Sequence, residues 1–160
     1  MKVLYLMRHA KSETSFPGNN DHSRKLTEKG LADATLMAKK LIALDEIPET
    51  IVCSTAARTK TTAQQVAAVF GFDENKIEGS HALYNASVSE VLSVIHMLNN
   101  TFDRIMLVGH NPSFSYLAYE LCGYELDHLP TSGIIKVSFN CNAWTDAKKG
   151  KFGFVISPKD

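Results

Sequence analysis

Three apolar stretches of this chain stop abruptly at side chains suited to holding and transferring an anion. Val3-Leu4-Tyr5-Leu6-Met7 runs into Arg8-His9-Ala10-Lys11-Ser12, and Thr50-Ile51-Val52-Cys53 into Ser54-Thr55-Ala56-Ala57-Arg58. Arg104-Ile105-Met106-Leu107-Val108-Gly109 ends at His110. Guanidinium groups present planar forks of donors that match phosphate oxygens, and imidazole can act as a nucleophile or carry a proton near neutral pH. For the first stretch alone, a strand followed by a solvated basic loop is an equally good reading. Three such hand-offs change the balance. Two arginines and two histidines brought together repel one another and are costly to desolvate unless an anion completes the site, and a phosphoryl group is the natural anion.

Whether they meet depends on the elements between them. Short, near-continuous apolar runs read as buried parallel strands. Right-handed crossovers bring the carboxyl ends of such strands to one edge of a sheet, where open α/β folds bind ligands. Leu31, Ala34, Ala38, Leu41 and Ile42 recur at helical spacing, with Thr27 placed as a cap and Pro48 beyond, so residues 28–45 are expected to be a helix. Ala63, Val66, Ala67 and Phe70 mark a second helix closed by Gly71. Residues 73–84 look irregular, with room for a short strand before Leu83. A third helix is predicted over 88–99, capped by Ser87. Asn111-Pro112 reads as the start of a fourth helix, Asn111 capping it, with Phe114, Leu117, Ala118 and Leu121 buried and Gly123 at its end. Ile134–Phe139 and Phe152–Ile156 suggest a terminal antiparallel pair. Lys11 to Ser23, with Pro17, Gly18, Asn19 and Asn20, is a loop long enough to fold over the end of the first strand. The expected architecture is α/β and three-layered, a mostly parallel sheet flanked by helices with a C-terminal antiparallel edge.

Composition narrows the function classes. At 160 residues the chain fits one domain, 1–160. Lysine plus arginine and aspartate plus glutamate balance at 17 each, giving no bulk field for nucleic acid and no polybasic segment for a membrane surface. Cys53, Cys122 and Cys141 form no C-x-x-C pair and are odd in number, which argues against a disulfide framework or thiolate zinc and for a reduced compartment, the cytoplasm. The apolar start is too short for a signal-peptide core, and no run approaches the ~20 residues of a membrane span. His22, His81, His96 and His128 lack metal-ligand spacing and are expected to be surface or loop residues, so no metal and no cofactor are expected. Cys53 and Arg58 are separated by four residues, one fewer than in the C-x5-R loop of cysteine phosphatases, so Cys53 reads as strand core. Trp144 reads as packing and Lys148, Lys149 and Lys151 as a solvated turn. P-loop, dinucleotide and serine-hydrolase motifs are missing.

Leu6-Met7-Arg8-His9-Ala10, Ser54-Thr55-Ala56-Ala57-Arg58-Thr59 and Val108-Gly109-His110-Asn111-Pro112 resemble, in order, the motifs of the histidine phosphatase superfamily, which has the phosphoglycerate-mutase-like fold. The resemblance runs from residue 3 to about 140. Arg24-Lys25-Leu26-Thr27-Glu28-Lys29-Gly30, Leu83-Tyr84, the GHNP stretch and Leu129-Pro130-Thr131-Ser132-Gly133 are further similar to the small phosphohistidine phosphatases of the SixA kind. It implies that His9 is the nucleophile and that Arg8, Arg58 and His110 clamp the phosphoryl oxygens. Arg24 is implied as a further phosphate ligand, with a solvated residue beside Lys25 as its plain alternative. Ser12 and Asn111 could also face the phosphate, Asn111 unless it is occupied as a cap. A neutral imidazole attacking in line, with surrounding cations keeping it deprotonated, is consistent chemistry.

The mutase-like members carry a carboxylate as general acid in the third region, whereas Leu83-Tyr84-Asn85-Ala86-Ser87 offers none before Glu90. An alkoxide needs protonation to leave far more than imidazole, whose conjugate acid has a pKa of about 6.5. The missing acid therefore favours a phosphorylated histidine on another protein as substrate and partner. Small phosphorylated molecules such as sugar phosphates are the alternative, and a phosphate-binding module without turnover is a third. The oligomeric state stays open.

Overall fold

Lys2–Arg8 forms the central strand β1, and its alternation feeds two cores: Leu4 and Leu6 point to one side of the sheet, Tyr5 and Met7 to the other. The computed structural model describes residues 1–15, 17–18 and 20–160. The remaining elements are α1 (Glu28–Ala43), β2 (Thr50–Ser54), α2 (Ala57–Phe70), β3 (Ile77–Ser80), α3 (Val88–His96), β4 (Arg104–Gly109), α4 (Ser113–Cys122), β5 (Ile134–Phe139) and β6 (Lys151–Ile156), joined by turns and short 3-10 segments. Among the described residues the six strands make one sheet in the order β3-β2-β4-β1-β5-β6. The pairs β3–β2, β2–β4 and β4–β1 are parallel, while β1–β5 and β5–β6 are antiparallel. Leu4, Leu6, Ile105 and Leu107 pack with Val91 and Ile95 of α3 and Phe114, Leu117 and Leu121 of α4. On the other face Tyr5, Met7, Met106 and Val108 pack with Ala34, Met37 and Leu41 of α1 and Ala63 and Val66 of α2. The three-layer α/β expectation stands.

The caps read from the sequence are mostly in place. Thr27 accepts from the Gly30 amide, Ser87 and Glu90 form a reciprocal capping box, and Gly71 and Gly123 end α2 and α4 in the left-handed conformation at φ 76° and 71°. Four expectations need adjustment. α1 ends at Ala43 rather than 45, with Asp45 left-handed at φ 56°, and α3 ends at His96 rather than 99. Residues 73–84 are more ordered than their composition suggests, because Ile77–Ser80 joins the sheet at its edge between two 3-10 turns. Asn111 does not cap α4. The helix begins at Ser113, its N-cap is Pro112 with no side-chain bond, and the Asn111 amide is engaged elsewhere. The expected place of Asn19 in the loop lies outside the described residues.

Register places the site. Arg8 pairs with Gly109, and Met7 and Cys53 both pair with Val108, so β1, β2 and β4 end level with one another. The His9 amide extends the ladder by one bond to the Gly109 carbonyl at 3.0 Å. On the other side, the Arg8 amide donates to Gly133 and the Ser132 amide to the His9 carbonyl, at 3.0 and 3.1 Å. Gly109 is required by close approach: a Cβ there would lie 2.4 Å from the Phe114 ring.

Candidate active site

His9 is 7% exposed, and its Nδ1 lies 2.8 Å from the Ala10 carbonyl. A carbonyl only accepts, so Nδ1 carries the proton and Nε2 keeps its lone pair. The Ala10 amide donates to the Thr62 hydroxyl of α2, at 3.0 Å, fixing this turn to the helix that also carries Arg58. The His110 ring lies 5.6 Å from that of His9 between centroids. Arg58 Nη2 approaches His110 Nδ1 at 3.4 Å, and the opposite nitrogen of that ring donates to Ser54 Oγ at 2.9 Å. Three strand ends thus deliver their polar residues to one place, as the spacing required.

Both arginines are anchored through terminal nitrogens. Arg8 Nη1 donates to the Leu129 carbonyl at 3.0 Å and to His128 Nε2 at 2.7 Å. Arg58 Nη1 donates to the Asp21 carbonyl at 2.8 Å, and its Nη2 to the Asp21 carboxylate at 3.2 Å. The Nε atoms of Arg8 and Arg58 are buried without a partner. A buried donor without an acceptor is costly, and an oxyanion between these two arginines would satisfy both, whereas the equally unpartnered Nε of Arg104 lies at the opposite end of β4. Burial, followed by the nearby Arg58, lowers the pKa of Arg8.

The remaining expected ligands are tied to protein groups. Arg24 pairs with the Asp21 carboxylate through Nε and Nη2 at 3.1 and 3.0 Å, and its Nη1 donates to Ser12 Oγ at 3.2 Å and the Glu13 carbonyl at 2.9 Å. Ser12 is thereby engaged by Arg24. The Asn111 amide donates to the Leu129 carbonyl at 2.8 Å and its oxygen accepts from Ser115 at 3.1 Å, bracing the wall that also holds Arg8.

Sequence reasoning passed over several participants. Asp21 joins Arg24, Arg58 and Tyr84, and its position three residues before Arg24 was the available signal. His128, expected to be an idle loop residue, receives Arg8. His22 Nε2 and His81 Nδ1 lie 3.0 and 2.8 Å from Thr55 Oγ1, and Tyr84 stands edge-on to His110 at 5.8 Å. Ser132, left-handed at φ 64°, has a buried hydroxyl without a partner. Cys53 is strand core as expected, its thiol raised by burial to about 11. Among the described residues no group of three His, Cys, Asp or Glu side chains is arranged to hold a metal ion.

Burial, ahead of the neighbouring cations, drives the histidine pKa values down: His9 from 6.5 to about 3, and His110 from 6.5 to about 4 with Arg58 as the next cause. The sequence reading credited the cations; desolvation is the larger effect. In the unfolded chain both rings take up a proton as pH falls through about 6.5. The native rings stay neutral until about 3 and 4. The unfolded state thus binds more protons across that window, and stability is full above pH 6.5 and lost as pH falls. On the order of a few kcal/mol should disappear between about pH 6.5 and 4, measurable as a falling urea midpoint at constant m-value.

The model of the histidine phosphatase superfamily, branch 1, matches residues 4–88. An uncharacterised protein of Mycobacterium tuberculosis is 31% identical over 155 residues, covering 90% of this chain and 93% of that one. A protein of Agrobacterium tumefaciens, proposed to be the phosphohistidine phosphatase SixA, superposes with a TM-score of 0.83 at 30% identity over 98% of each chain. The protein histidine phosphatase SixA in complex with tungstate superposes at 0.84 and 24% identity, over 98% of this chain and 97% of that one. No helix among the described residues is long and apolar enough to cross a membrane. Read with the level strand ends and the buried imidazole they carry, the match places this chain in branch 1 of the histidine phosphatase superfamily, as a histidine-type phosphatase.

Proposed function

We propose that this chain, acting as one domain over residues 1–160, hydrolyses phosphohistidine on a partner protein through a covalent intermediate at His9. The substrate ring carries a proton from solvent on its far nitrogen; the Nε2 lone pair of His9 attacks phosphorus and the bond from phosphorus to the leaving nitrogen breaks, its electron pair departing with a neutral imidazole. Water then attacks the phosphorylated His9, releasing phosphate and a proton and restoring the neutral ring. Arg8 and Arg58 supply donors to the equatorial oxygens, and His110 joins them once the bound anion favours its protonated form.

The observation that carries the substrate class is the state of Asp21. Tyr84 donates to its carboxylate at 2.6 Å and Arg58 and Arg24 flank it, holding its pKa down at about 2. The carboxyl nearest the arginines is therefore ionised and has no proton to give. Glu90 is engaged in capping α3, which lowers its pKa as well. A leaving group that departs readily suits such a site, and imidazole is one. The likeness to the Agrobacterium tumefaciens protein supports the same reading.

The test compares kcat/KM for a phosphohistidine-bearing protein with a panel of sugar phosphates. The phosphorylated protein is expected to win by roughly tenfold or more, about 1.4 kcal/mol of transition-state binding. A preference for sugar phosphates would assign the enzyme to small metabolites instead.

A further inference from the structure

A carboxylate is an unexpected neighbour for an anion pocket. Asp21 opens the 3-10 turn Asp21–Ser23, which Asn20 caps by accepting from the His22 amide at 3.0 Å, so the direction of its side chain is set. Oδ1 takes Arg24, Oδ2 takes Arg58 at 3.2 Å and Tyr84 at 2.6 Å, and the main-chain carbonyl takes Arg58 again at 2.8 Å. This one residue gathers Arg24 of its own turn, Arg58 of α2 and Tyr84 of the turn before α3.

Three roles are conceivable for it. It is a poor proton donor, being ionised. As a plug competing with substrate it would occupy the edge of Arg58 that an anion needs. Asp21 instead takes the end of the guanidinium formed by Nη1 and Nη2, and Nε is the buried atom left without a partner. Arg8 repeats the pattern: Nη1 is held by Leu129 and His128, and Nε is again the orphan. In both arginines the far end is anchored and the Nε edge is left for an anion.

We infer that Asp21 is a positioning residue of the phosphatase site, holding Arg58 by its terminal nitrogens so that its Nε edge is presented to the phosphoryl group, and tying Arg24 to the same frame. This deepens the reading of His9 as nucleophile and rests on it. Without the carboxylate, Asp21 holds Arg58 only through its main-chain carbonyl, and a guanidinium that pivots about that one bond keeps its charge and loses its aim; misplacement by about 1 Å can cost on the order of 100-fold in rate.

The experiment measures turnover of an aryl phosphate by the full chain carrying Asp21→Ala, Asp21→Asn or His9→Ala, with 15N NMR of the Arg58 Nε–H during orthovanadate titration. Asp21→Ala is expected to lower kcat by roughly 10- to 100-fold. Asp21→Asn, which keeps an acceptor oxygen, should recover part of that loss. The vanadate-induced shift of the Arg58 Nε–H should shrink in Asp21→Ala. Wild-type turnover in Asp21→Ala, or faster turnover with tighter vanadate binding, would overturn the assignment, the second outcome identifying a plug. So would a loss of rate that tracks a lower melting temperature while the Arg58 signal responds as in wild type. If His9→Ala remains active, the site reading itself has failed; if only Asp21→Ala remains active, the failure is confined to Asp21.

Discussion

His9→Ala is expected to lower aryl phosphate turnover by on the order of 10,000-fold or more while leaving the fold intact. The proposed nucleophile is a single atom: Nδ1 is committed to the Ala10 carbonyl, so Nε2 alone carries the lone pair, and the other site imidazole is engaged with Ser54 and Arg58. The main-chain bonds of His9, to Gly109 and from Ser132, do not involve the ring and survive the substitution. Circular dichroism should therefore match the wild type. Orthovanadate should still bind, because the unpartnered Nε groups of Arg8 and Arg58 remain. The same variant should lose less stability between about pH 6.5 and 4, since one of the two rings that resist protonation is gone. Mass spectrometry of wild-type enzyme mixed with substrate and rapidly quenched should find acid-labile phosphate on His9. Label on any other residue would refute the mechanism, and turnover that persists in His9→Ala would do the same.

What the sequence disclosed follows from which interactions are local. β1, β2 and β4 are buried on both faces, so each is a nearly unbroken apolar run whose end is visible as a change to arginine or histidine. Handedness of crossovers then makes the ends meet without any knowledge of loops. Caps such as Thr27 and Ser87 act on amides three residues away and are equally visible. β3 showed only as room for a short strand before Leu83, because Ile77-Glu78-Gly79-Ser80 has almost no apolar signal; its pairing with β2 makes it a strand. Asn111 was misjudged because a short amide side chain before a proline has two uses, and here the Leu129 carbonyl and the Ser115 hydroxyl take it. Asp21 and His128 lie in polar loops, where composition signals only a turn. Their partners Arg58 and Arg8 are 37 and 120 residues away, and only tertiary structure brings them together.

Arg58 should separate function from stability most clearly. It is 5% exposed, its Nε has no partner, and its charge lies close enough to Arg8 to depress that group's pKa. A buried cation with an orphan donor and a like-charged neighbour contributes little to folding, and replacing buried charge by apolar volume is often neutral or stabilising. Arg58→Met keeps most of the stem that packs in α2 and discards the charged fork. The carboxylate it abandons, Asp21, is 43% exposed, so water can take over its solvation. Turnover is expected to fall by about 100-fold or more, by analogy with removal of a single donor aimed at developing charge, while the melting temperature stays level or rises. Arg58→Lys restores a charge without a planar fork and should recover only part of the rate. His110 gives an independent readout: Arg58 is the second cause of its lowered pKa, so its titration by NMR should move up toward 6.5 in Arg58→Met and move less in Arg58→Lys. A strong loss of stability in Arg58→Met with kcat close to wild type would mean that the guanidinium is there to hold the 3-10 turn at Asp21, and the phosphoryl clamp would have to be sought elsewhere.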